Sequence, residues 1–359
     1  MRSFRLDIST GFAIMWCFFA LDGLGSFLTL NHANNVLLRE NGFFKQCRQI
    51  FANSKMTSSS INKWKRFTIS SIYVASWVFL LNVVLGMLYT FGIITSAFPV
   101  KLDHVVHWTS MPLIAVKGVV LVVSIISGMH TAYHVIFFSS MCEVTRSLFV
   151  DYCKRLKEET AGTFMVKKIG KYQSEYGSLA SMTECLDEAF KHSCFCQLFL
   201  FVASACLNLF CFTRREVEAV TVLTLCYWFV MVTITFAYTA VPAIKLETQA
   251  EKPRKLLRLW FLKYEQACDD AGVIVNDANR HALSLLMQWI ASENAGITVA
   301  SLAKFDAPLL LNVGSVVVTY FLVILQFSSA SPESGIFALS HNISAFCAQF
   351  CPSSSTGVM

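Results

Sequence analysis

Six apolar stretches, each about as long as a bilayer is thick, decide what this chain can fold into. A membrane-spanning helix needs roughly 20 consecutive apolar residues. The sequence supplies them at Gly11–Leu30, Phe67–Phe98, Met111–Met141, His192–Phe212, Val220–Ile244 and Phe305–Phe327. In hydrocarbon every backbone N–H and C=O must be paired within the protein, so such stretches become helices. The expected fold class is therefore all-α, a polytopic helical membrane protein forming one transmembrane unit over residues 1–359. Composition agrees: 14% of the residues are charged and mean hydropathy is +0.54, whereas soluble domains carry about 25% charge.

The basic residues set an orientation. The segment 31–66 holds seven Lys/Arg, and 142–191 and 245–304 hold eight each, which together account for 23 of the chain's 29. The alternate connections carry only Lys101, then Arg214 and Arg215, and none follows Ala330. By the positive-inside rule the rich segments face the cytoplasm, and the tail 330–359 is expected outside the cell. With six spans the N-terminus lies outside too. Within the tail, Asn342-Ile343-Ser344 is an acceptor triplet for N-glycosylation.

Two of the inner segments read as more than loops. Tyr172, Tyr176, Leu179, Leu186 and Phe190 recur at helical spacing with Glu175, Glu184 and Asp187 off that stripe. Leu283, Leu286, Met287 and Ile290 repeat the pattern. Both predict amphipathic helices that either pack together beyond the membrane or lie on its surface. Packing is favoured, because the second and third apolar stretches run long.

Catalytic patterns are missing: there is no G-x-x-x-x-G-K-[ST], H-E-x-x-H or G-x-S-x-G. The 13 cysteines lie mostly in apolar runs and form no C-x-x-C pair, so they read as small buried hydrophobes; Cys347 and Cys351 fall in the tail. His130 and His134 stand one helical turn apart, but no Cys or carboxylate pattern completes a metal site, and no cofactor is expected. Asp22 interrupts the first apolar stretch at an insertion cost of about 2.5–3.5 kcal/mol, so it must face other helices or water.

The last apolar stretch is the most informative. Asn312, Ser315, Thr319, Gln326 and Ser329 follow one another at intervals of 3, 4, 7 and 3 residues and share one helical face. Such an uncharged polar stripe either lines a water-filled path shared among subunits or bonds to neighbouring helices. Asp306, ahead of Ala307-Pro308, fits an N-cap or an acidic ring at the inner mouth of such a path.

Thr319-Tyr320, five apolar residues and Gln326-Phe327 resemble the T-Y-(five hydrophobic)-Q-F signature of insect gustatory receptors, in the expected last span. Leu283, Leu286, Gln288 and Phe305-Asp306 resemble the same family, and so does the helix from Tyr172 to Phe190. The likeness covers roughly residues 110–329. Ser301-Leu302-Ala303-Lys304-Phe305 departs from the family's Gly-Leu-Phe, and the family's first of seven spans has no counterpart here.

The resemblance implies a tetrameric, ligand-gated, non-selective cation channel in the plasma membrane. Its last helix, residues 305–329, would line a central pore, with segments 142–191 and 245–304 as cytoplasmic anchor. Gln326 and Phe327 would match the outer gate, Thr319 and Tyr320 would brace the helix, and Ser315 would face the pore. A small organic tastant would enter a pocket from outside, where Tyr89, Asn208, Thr224, Tyr227 and Trp228 are expected. The partners are then the ligand, the lipid bilayer, and copies of the chain or related subunits; nucleic acid is not expected. A G-protein-coupled receptor would carry Lys/Arg in its cytoplasmic tail, which this chain lacks after Ala330. A transporter would show paired broken helices and midplane acids, and Asp22 alone offers itself.

Overall fold

The computed structural model describes residues 8–39, 42–53, 58–90, 113–160, 169–212, 219–271, 277–292 and 295–329. Nine helices appear among them: α1 (Ile8–Leu37), α2 (Phe43–Asn53), α3 (Ser58–Thr90), α4 (Leu113–Thr160), α5 (Ile169–Phe212), α6 (Ala219–Ala250), α7 (Lys252–Ala271), α8 (Asp277–Ser292) and α9 (Ala307–Ser329). A two-stranded antiparallel hairpin, β1 (Thr298–Val299) with β2 (Ala303–Lys304), precedes α9. The all-α membrane architecture expected from the sequence is the one observed. The parts of the apolar stretches at residues 91–98 and 111–112 lie outside the described residues, as do Asn342, Cys347 and Cys351.

The helices outrun the membrane. α4 has 48 residues and α5 has 44, about 72 and 66 Å at 1.5 Å per residue. A hydrocarbon core is about 30 Å thick, so more than half of each lies beyond it. The third apolar stretch and the polar segment after it form one unbroken helix, and the Tyr172–Phe190 stripe continues directly into the fourth stretch. Glu143, Arg146 and Asp151 lie within α4 without interrupting its backbone ladder.

The dense core lies where the apolar stretches of these helices give way to their polar halves. Tyr172, Tyr176, Leu179, Leu186 and Phe190 of α5 are all buried. They pack on Phe138, Phe149, Tyr152 and Leu156 of α4 and on Leu286 and Ile290 of α8. The rings interlock edge-on: Tyr152 lies 6.0 Å from Tyr172, and Tyr176 lies 6.0 Å from Phe149 and 5.9 Å from Trp289. The Tyr152 hydroxyl donates to the Tyr172 carbonyl at 3.2 Å, so a phenol buried among rings keeps its hydrogen bond. Arg155 pairs with Glu175 at 3.0 Å on the rim. Leu37 and Phe43, at the junction of α1 and α2, complete the cluster. The amphipathic stripes thus pack together. Large apolar residues of the spanning segments, among them Leu28, Trp77 and Val122, remain exposed on the outside of the bundle.

Phe190→Ala is expected to lower stability by about 3–5 kcal/mol, because it empties a fully buried aromatic site. Leu28→Ala, on the outside, is expected to stay within about 0.5 kcal/mol. Thermal unfolding of the detergent-purified chain compares them.

Candidate functional site: the last helix and the hairpin that sets it

Asp306 ends the hairpin and starts α9. Its Oδ1 accepts from the Leu309 N–H at 2.8 Å, which makes it the N-cap, with Pro308 in the first turn where no N–H is needed. Phe305, just before it, is fully buried and lies 6.1 Å from the ring of Phe236 on α6. The start of α9 is therefore fixed by a buried ring and a cap.

Past its first turn α9 leans mainly on α5. Val313, Val317 and Phe321, spaced one turn apart, form the half-buried face. Asn312, Ser315, Thr319 and Gln326 are exposed. At about 100° per residue the two faces point roughly 170° apart, so the polar stripe looks away from the described residues that α9 packs against. Exposed apolar residues flank it, with Leu311, Val318 and Leu322 on one side and Val316, Tyr320 and Val323 on the other. Tyr320 thus belongs to a flank and Thr319 to the stripe. The Phe327 side chain lies outside the described residues.

The hairpin ahead of α9 is a feature the sequence reading missed. Its turn holds Ala300 at φ 50° and Ser301 at φ 61°, in the left-handed region that costs an L-residue roughly 1–2 kcal/mol. Turn prediction looks for Asn-Gly or Asp-Gly, and Ala-Ser gives no such signal. Contacts to two spanning helices hold the strained loop. Asp187 of α5 accepts from the Thr298 N–H at 2.6 Å, and the Thr298 hydroxyl lies 2.9 Å from each of its oxygens. The Ala300 N–H donates to the Lys191 carbonyl at 3.0 Å. Lys304 stands 3.7 Å from Glu247 of α6. Burial pushes the Glu247 carboxyl above its ordinary value, and the Lys304 ammonium offsets part of that rise. Asp187, a charge off the apolar stripe of α5, is the side chain that ties that helix to the segment leading into α9.

The residues expected to bind ligand are placed less completely. Asn208 on α5 is buried; its Nδ2 donates to the Ser204 carbonyl at 2.7 Å, while its Oδ1 is buried without a partner among the described residues. Tyr227 and Trp228 on α6 are half-buried with rings 6.0 Å apart. Tyr89 and Thr224 lie on α3 and α6, with side chains outside the described residues. A groove of about 540 Å³ runs along α3 instead, lined by Arg66, Ser70, Tyr73 and Trp77 among others; none of the expected ligand residues lines it. The two histidines pack separately: His134 shares a 2.7 Å hydrogen bond with Ser193, and His130 stands edge-on to Phe27 at 5.1 Å.

The geometry defines a class of protein, a multi-pass helical membrane protein whose last helix turns a polar stripe outward. No family model and no curated protein matches the chain. Among solved structures, the insect olfactory receptor OR5 from Machilis hrabei in complex with eugenol superposes with a TM-score of 0.50 at 12% identity, over 90% of this chain and 83% of that one. A second structure of that receptor gives a TM-score of 0.44 at 11% identity, over 89% and 87%. The chain is thus similar in fold to an insect olfactory receptor.

Ala300→Gly is expected to raise stability by about 1 kcal/mol, since glycine takes the left-handed turn without strain. Asp187→Ala is expected to lower it by about 1–3 kcal/mol through the unpaired Thr298 N–H. A group whose folded pKa is raised stabilises below its unfolded pKa and loses that contribution as pH rises through the folded value. Glu247→Gln should therefore flatten the fall in melting temperature on raising pH through and just above the ordinary glutamate range. Thermal melts across a pH series check all three.

Proposed function

We propose that the chain is a subunit of a chemoreceptor channel of the gustatory type, a ligand-gated, non-selective cation conduit in the plasma membrane. The observation that carries this reading is the outward polar stripe of α9. A helix with Ser, Thr, Asn and Gln facing away from its own bundle, and apolar flanks on both sides, suits a ring of identical helices. The stripes would meet water at the axis while the flanks meet neighbouring copies or lipid. The T-Y-(five)-Q-F resemblance and the fold likeness to an olfactory receptor support the same reading, and four copies is the assembly it implies.

In this reading the tail after Ala330 is extracellular, and the core of α4, α5 and α8 anchors the subunits in the cytoplasm. Asn312, Ser315 and Thr319 face the pore along its length. Gln326 and Phe327 form the outer gate, where a ring of Phe closes by dewetting and Gln pairs across subunits when shut. Asp306 caps α9, and its second oxygen adds negative charge at the inner mouth, which favours cations. The ligand is a small organic molecule of the tastant kind, held among α3, α5 and α6 near Tyr89, Asn208, Thr224, Tyr227 and Trp228. The Asn208 Oδ1, buried without a partner among the described residues, offers an acceptor for a ligand hydroxyl or N–H.

Expression in cells with current recording, during application of sugars and bitter compounds, tests the reading. Ligand-evoked cation current that persists when G-protein signalling is blocked is expected. Gln326→Ala and Phe327→Ala are expected to change leak or gating while surface expression persists. Unchanged currents in both would remove these positions from the gate.

A further inference from the structure

Asp22 lies within the first apolar stretch, and the structure surrounds it with oxygen-bearing side chains from three helices. The Thr131 hydroxyl of α4 donates to Oδ2 at 2.9 Å, and the Gln197 amide of α5 donates to Oδ1 at 2.7 Å. One turn along the same face of α1, the Ser26 hydroxyl is buried with no partner among the described residues. Ser127, one turn from Thr131 on α4, is also buried. The helices touch here: a Cβ on Gly23 would lie 2.4 Å from the Ser127 Oγ, so glycine is what lets α1 approach α4. Ser26, Ser127, Thr131 and Gln197 are each more than nine-tenths buried, while Asp22 keeps part of its surface open.

Among the described residues the array holds no positive charge. Asp22 makes no ion pair with a Lys or Arg among the described residues. Of the titratable groups nearby, His134 is engaged by Ser193, His130 packs against Phe27, and Cys196 brings no cation. An ionised carboxylate inside a membrane bundle is costly without a partner. The groups around it are hard oxygen donors: two carboxylate oxygens, three hydroxyls and the Gln197 amide, whose oxygen comes forward when the amide rotates. That set suits a small alkali ion rather than a transition metal. A single carboxylate matches a single positive charge, which argues against a divalent ion.

We propose that Asp22, Ser26, Ser127, Thr131 and Gln197 form a binding site for a monovalent alkali cation such as sodium. The ion supplies the charge that no basic side chain among the described residues provides and ties α1 to α4 and α5. The site stands apart from α9 and does not depend on the conduction reading.

Thermal unfolding of the full-length purified chain, in sodium chloride against N-methyl-D-glucamine chloride at equal ionic strength and pH, tests it. An ion that binds the folded state raises the melting temperature with its concentration. Sodium is expected to raise it by several degrees, and Asp22→Asn is expected to abolish the difference. If Asp22→Asn fails to fold, Ser26→Ala removes one ligand and keeps the charge; it is expected to move the sodium midpoint to several-fold higher concentration. Equal melting temperatures in both salts, or a sodium effect that Asp22→Asn or Ser26→Ala leaves unchanged, would overturn the proposal. So would stability that depends on pH through Asp22 but not on sodium, because the carboxyl then holds a proton instead.

Discussion

The aromatic clasp between α4 and α5 is the interaction on which the remaining structure depends. Inside a bilayer, helices gain little by burying apolar surface against one another, because lipid tails are as apolar as leucine. Outside it, water restores the hydrophobic drive at about 25 cal/mol per Å². The chain's largest buried side chains, Phe138, Phe149, Tyr152, Leu186 and Phe190 among them, cluster where the apolar stretches of α4 and α5 give way to their polar halves. Within the spans, contact relies instead on small residues such as Gly23 and on hydrogen bonds such as those of Asp22 and of His134 with Ser193.

This division of labour fixes where α9 can go. Phe305 plugs the clasp from the side of α6, Asp187 holds Thr298 on α5, and Asp306 caps the helix that follows. The last helix is thus positioned at its N-terminal end and, among the described residues, leans mainly on α5 along its length. Its apolar flanks and polar stripe are left uncovered by the other described residues. A displacement of α5 or α6 has a short route to α9, through a turn held in strained geometry at Ala300 and Ser301.

Much of this was legible in the sequence. The apolar stretches gave the helices, the Tyr172–Phe190 stripe gave the packing face, and the intervals between Asn312 and Gln326 gave one side of α9. Other features left no mark. Glu143, Arg146 and Asp151 lower local hydropathy, and hydropathy does not register that α4 continues through them as one helix. The hairpin was invisible because its turn uses Ala-Ser rather than a glycine, with the cost borne by contacts to residues more than 100 positions away. Asp22 was recognisable as an intramembrane acid, but its partners Thr131 and Gln197 lie 109 and 175 residues along the chain, and no local pattern links them.

The direction that the α9 stripe faces in the assembled protein is what the functional account turns on. A structure of the full chain in lipid nanodiscs, determined by electron cryo-microscopy, measures it most directly. The account expects several copies around one axis, with Asn312, Ser315, Thr319 and Gln326 of each copy lining a shared central path. A single chain without a central path, or a stripe packed against lipid, would contradict it.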